Sequence, residues 1–170
     1  MSRRVTKTSC GLRLVSQSEN TLFDLDGGVV QSELVALART AIDLKAAGNR
    51  VVVAVGEPPS AGAGCSGGQV YRAGYAAMVV SQTRLMAEWE KCFNNGGEVA
   101  AQVLVDAVVF HNALRGQQLA GVLCELTDRG VVPIVGLSAG GRGACTTLLD
   151  SFLLTLLDNH KKRIGQEVAV

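Results

Sequence analysis

VAAQVLVDAVVFHNALRGQQLAGVLCELTDRGVVPIV, residues 99–135, decides the fold class. VAAQVLV at 99–105 is a mostly apolar run of strand length and reads as a strand. A helix is expected over 112–128, and Gly130 stops it immediately before a second apolar run, VVPIV at 131–135. Strand, helix and strand in so short a span make a crossover unit, which joins parallel strands.

Outward from this unit the pattern repeats. Upstream, Val30, Leu34, Leu37, Ala41 and Leu44 recur at steps of three and four, giving an amphipathic helix entered through Asp26-Gly27-Gly28 and stopped at Gly48. RVVVAV at 50–55 is the next apolar strand, and Pro58-Pro59 forbid its continuation on a ladder. A glycine-rich loop, AGAGCSGG at 61–68, leads into a long helix over 69–93 that Asn94-Asn95-Gly96-Gly97 ends. GLRLV at 11–15 supplies a first strand. A last helix is expected over 146–161, with His160-Lys161-Lys162-Arg163 set against the negative pole of its dipole. The expected fold class is α/β, a three-layer α-β-α arrangement on a mostly parallel sheet.

Composition fits that architecture. The chain has 170 residues, 48% hydrophobic but only 4% aromatic, so Ala, Val and Leu must fill the core. A chain of this size makes one domain with an ordinary hydrophobic interior. A formal charge of +1 gives no field to gather nucleic acid or anionic lipid, and no direct nucleic-acid partner is expected. No apolar run reaches the ~20 residues of a membrane span, so no transmembrane segment is expected. Cys10, Cys65, Cys92, Cys124 and Cys145 are odd in number and never spaced as C-x-x-C, which argues against a disulfide framework or a structural metal site. Residues 1–18 carry Arg3, Arg4, Lys7 and Arg13 and no acid. They read either as a basic tail or as a targeting segment, the latter implying a mitochondrial location and otherwise a cytoplasmic one. The rest, 19–170, reads as a single domain.

Gly136-Leu137-Ser138-Ala139-Gly140 follows a strand and precedes a helix, the context in which a serine hydrolase presents its nucleophile. Its partners are missing, because His111 lies upstream and His160 lies far along the final helix. Gly136, Ser138, Gly140 and Gly141, with Arg142 adding charge, could instead cradle an anion through bare amides at a helix start. The Lys-Ser or Lys-Thr that ends a P-loop is absent, and a plain strand-to-helix turn is the competing reading.

Four stretches resemble the amino acid kinase family, and within it the glutamate 5-kinases. LVALARTAIDLKAAGNRVVVAV is similar to the family's helix and strand ahead of its Ser-Ser-Gly-Ala loop. AAMVVSQTRLMAEWEKCF is similar to the helix that follows, with Gln82, Leu85, Met86, Trp89 and Phe93 at the matching positions. VAAQVLV, with Ala101 and Gln102, and DRGVVPIVG are similar to the next two strands. The resemblance implies an amino acid kinase-like fold. At the motif positions the chain departs from the family: Leu14 and Ser16 stand where lysine and glycine would fall, with Arg13 one position off, and Val55-Gly56-Glu57-Pro58 replaces the serine loop. Gly136-Leu137-Ser138-Ala139 replaces the acidic Asn-Glu-Asn-Asp motif. Of the later Gly-Asp-Asn-Asp motif Asp150 alone remains, and by itself it reads as an exposed carboxylate in the first turn of a helix.

The comparison further implies a shortened fold without the C-terminal nucleotide-binding half. The expected function is therefore non-catalytic: a structural or accessory subunit in contact with other protein subunits or with a second copy, with no catalytic residue, metal or cofactor. Two alternatives stand beside it, an active amino acid kinase using ATP and magnesium and a hydrolase using Ser138.

Overall fold

The computed structural model describes residues 3–8, 11–17, 30–55, 68–137 and 146–167. Four helices cover a five-stranded sheet. Two strands open the chain, β1 (Arg3–Lys7) and β2 (Leu12–Gln17), followed by helix α1 (Gln31–Ala46) and strand β3 (Arg50–Val55). Helix α2 (Gly68–Asn95), strand β4 (Val99–Val105), helix α3 (Ala113–Asp128), strand β5 (Val131–Leu137) and helix α4 (Thr146–Glu167) complete it. The strand order is β1-β2-β3-β5-β4, parallel throughout except that β1 runs antiparallel to β2.

The strands of the expected α/β pattern form where apolar runs meet helices on two sides. On one face Val15, Val51, Val53, Val132 and Ile134 meet Leu34, Leu37 and Ala41 of α1 and Leu85, Trp89 and Phe93 of α2. On the other, Leu12, Leu14, Val52, Ala54, Val135 and Leu137 meet Leu119 and Leu123 of α3 and Leu149, Leu153 and Leu157 of α4. Alternate residues of a strand point to opposite faces, so a strand covered on both sides is apolar at consecutive positions, as in Val51–Val55. The two cores make three layers.

Helix ends are specified locally. The Asn112 side chain accepts from Arg115 N at the start of α3, and Asp106 caps a 3₁₀ turn (Ala107–His111) by accepting from Val108 N and Val109 N. Gly130, at φ 77°, supplies the left-handed turn that ends α3 one residue before β5. Gly116 is needed for a different reason: a Cβ there would lie 3.2 Å from Leu156 Cδ1, so its bareness lets α3 and α4 approach closely.

Three differences from the sequence reading stand out. Arg3–Lys7, expected within a basic tail or targeting segment, is an antiparallel edge strand, and GLRLV belongs to the second strand of the chain. Helix α4 runs past the basic cluster to Glu167, so His160–Arg163 does not sit at its C-terminal pole. Asp150 is not an exposed first-turn residue but is 4% accessible and faces the core. No described helix is long and apolar enough to cross a membrane.

Candidate functional site

The chemistry of a parallel α/β sheet concentrates where strands end and chains leave for opposite faces. Here β3 and β5 are neighbours, with Val55 paired to Gly136. The helix after β3 packs on one face and the helix after β5 on the other. Their carboxyl ends therefore form a switch-point crevice at the centre of the sheet. Both glycine-rich loops leave from these two strands.

Of the residues singled out in the sequence, Gly136 and Asp150 are described, while Ser138, Gly140, Gly141 and Arg142 lie outside the described residues. Gly136 shares its strand face with Ile134, toward α2, and lines a small cavity with Val55, Gln82, Trp89, Gln102 and Leu104. Gln82 Nε2 donates to the Leu137 carbonyl at 3.0 Å, fastening α2 to the last residue of β5.

Asp150 sits on the other face, beside Leu149 and Leu153. Ser16 Oγ donates to Asp150 Oδ2 at 2.6 Å, joining the end of β2 to the first turns of α4. Both residues are buried, Ser16 to 1% accessibility, and Asp150 Oδ1 has no hydrogen-bond partner among the described residues. Burial raises the Asp150 carboxyl above its ordinary value of 3.8, opposed by the Ser16 hydrogen bond and by the charge of Arg4, whose backbone pairs with Ser16 on β1. Gly136 and Asp150 are thus separated by the sheet and do not share one site.

The remaining cation near the expected phosphate position is turned away. Arg13 Nε donates to Asn49 Oδ1 at 3.1 Å, in the turn ahead of β3, at the end of the sheet opposite the crevice. His160 stands fourteen residues into α4 from Thr146, which at a rise of about 1.5 Å per residue places it ~20 Å from the helix start. Among the described residues no group of three or more His, Cys, Asp or Glu is placed to hold a metal ion.

No protein-family model matches the chain, and no curated protein matches it. The site is accordingly defined by its own geometry. Ser16 is the residue that sequence reasoning undervalued: it stood only as a departure from glycine, and its partner lies 134 positions away. Gln82 was visible as a motif position, but nothing in the sequence marks Leu137 as its acceptor.

Proposed function

We propose that the chain is a catalytically silent relative of the amino acid kinases, an α/β scaffold serving as an accessory subunit in a larger protein assembly. One observation carries this reading. Among the described residues β4 is the outermost strand on its side of the sheet, and along all seven residues it has neither charge nor proline. Edge strands are ordinarily protected by lysines, prolines or bulges, because their free N–H and C=O groups recruit another strand. β1, at the other edge, follows that rule with Arg3, Arg4 and Lys7. β4 does not, and Val99 at 59% and Leu104 at 46% accessibility leave apolar surface along it.

The two charged residues to which the resemblance points support the non-catalytic half of the reading. Asp150, the one carboxylate that the resemblance carries over, is spent on a buried hydrogen bond with its charge disfavoured. Arg13 is spent on Asn49. Phosphoryl transfer needs cations at the transferring group, and neither residue supplies charge there.

A mitochondrial location belongs to this proposal only with residues 3–17 retained, because cleavage after residue 18 would remove β1, β2 and the Ser16 partner of Asp150. Thermal denaturation with and without ATP and magnesium tests the catalytic half. Under the proposal the midpoint is unchanged, whereas a kinase at saturating nucleotide would gain several degrees. The assembly half is tested by native mass. The chain is expected in a complex larger than its 17.7 kDa, broken by Val99→Lys with Leu104→Lys, and a well-behaved monomer overturns it.

A further inference from the structure

Trp89 is the single tryptophan of the chain and is 1% accessible, stacked at a tilt on Phe93 with ring centroids 5.9 Å apart. Its Nε1–H is buried and has no hydrogen-bond partner among the described residues. A buried indole usually finds an acceptor, since an unpaired donor in a low-dielectric interior forfeits its hydration for nothing. The same side chain lines the cavity beneath the β3–β5 crevice, which has a volume of about 20 Å³.

That volume selects the occupant. A water needs at least ~10–15 Å³ and two to four polar partners, so the cavity admits one water and no larger group. The polar partners are at its walls. Gln82 Nε2 is committed to the Leu137 carbonyl, which leaves Gln82 Oε1 to accept, and Gln102 also lines the cavity. The named lining residues carry no charge, which selects against a small ion. The occupant must present a lone pair to the indole, which excludes ammonium. Gly136 keeps the space open, because a Cβ there would meet only Leu104 Cδ2 at 3.8 Å and the Val55 carbonyl at 4.0 Å and would project toward the cavity.

We propose that this cavity is a binding site for one ordered water, which accepts from Trp89 Nε1–H and donates to Gln82 Oε1. The water completes a chain of hydrogen bonds from the middle of α2 to the end of β5. It makes Trp89 and Gln82 a polar relay one helical face deep, with residue spacing i and i+7 on the same side of α2.

The lone tryptophan makes the test direct. A ¹⁵N-labelled sample gives one indole resonance, and water-selective NOE and ROE spectra read its neighbour. The expected result is a water cross-peak at the indole proton whose NOE has the sign of a long-lived complex, together with slow exchange of that proton. Gly136→Ala, which extends a methyl into the cavity, should abolish the cross-peak while the backbone amide spectrum stays native. Should that variant not fold, Gln82→Leu removes the second partner and should do the same. A slowly exchanging indole with no water cross-peak overturns the proposal. So does a crystal structure in which Trp89 Nε1 donates to a protein acceptor.

Discussion

Ser16→Ala removes one oxygen from a buried site and leaves the packing volume almost unchanged, so its cost reports the hydrogen bond to Asp150 rather than a cavity. With Asp150 ionised the bond is charge-assisted, at 2.6 Å, and its loss should cost about 1.5–3 kcal/mol. With Asp150 neutral the same loss should cost only about 0.5–1.5 kcal/mol. The two regimes are separated by pH. Burial raises the folded-state carboxyl above 3.8, so the folded chain holds its proton more tightly than the unfolded chain. Wild-type stability therefore falls as pH rises from the unfolded value through the raised folded value, and is level above it. The serine opposes that rise, so Ser16→Ala lifts the folded value further and deepens the fall. Urea unfolding across pH 4 to 8 checks the reasoning. The alanine variant should lose about 1 M in midpoint at the alkaline end and markedly less at the acid end. A pH-independent cost, or one that grows toward acid, would refute the assignment of Asp150 as a raised, Ser16-supported carboxyl.

Asp150→Asn keeps the shape and removes the charge, so it should flatten the pH dependence and match or exceed wild-type stability above neutrality; acid-to-alkaline melting curves decide this. Leu153→Ala, at the centre of the α4 contact with the sheet, should cost about 2–5 kcal/mol by denaturant titration, because the site is buried between two layers. Gly130→Ala, at φ 77°, should lower stability by about 1 kcal/mol through backbone strain alone, with an unchanged far-ultraviolet circular dichroism spectrum. Gly116→Leu drives a bulky group into Leu156 and Phe152 and should separate α3 from α4, read as faster amide exchange along both helices.

Much of the architecture could be read directly from the residues. Runs such as RVVVAV and VAAQVLV begin and end as strands where the sequence said they would, because all but Arg50 and Gln102 are apolar and a glycine lies just ahead of each run. The edge strand β1 was hidden, since Arg3, Arg4 and Lys7 look like a solvated tail and only pairing with β2 makes them a strand. The extent of α4 was misjudged for a related reason: charges at a helix end favour an end there but do not impose one, and the chain continues through them to Glu167. At the site, Gly136 and Asp150 were both recognisable as individuals. Their separation by the sheet, and the pairing of Asp150 with Ser16, depend on strand parity and on contacts across most of the chain, which no local pattern encodes.

The meeting of β2 with α4 sets a schedule for synthesis. Leu12, Leu14, Val52 and Ala54 have as part of their cover Leu149, Leu153 and Leu157 of α4, which are synthesised long after them. At 5–20 residues per second, that face of the sheet waits roughly 5–20 s after β3 emerges before α4 completes the cover that α3 begins. During that interval the nascent chain displays a valine- and leucine-rich strand surface, the species that holdase chaperones bind. The contact of Ser16 with Asp150 likewise joins the β1–β2 hairpin to a helix made many seconds later, so a chain cut short before residue 150 lacks the α4 cover of that face.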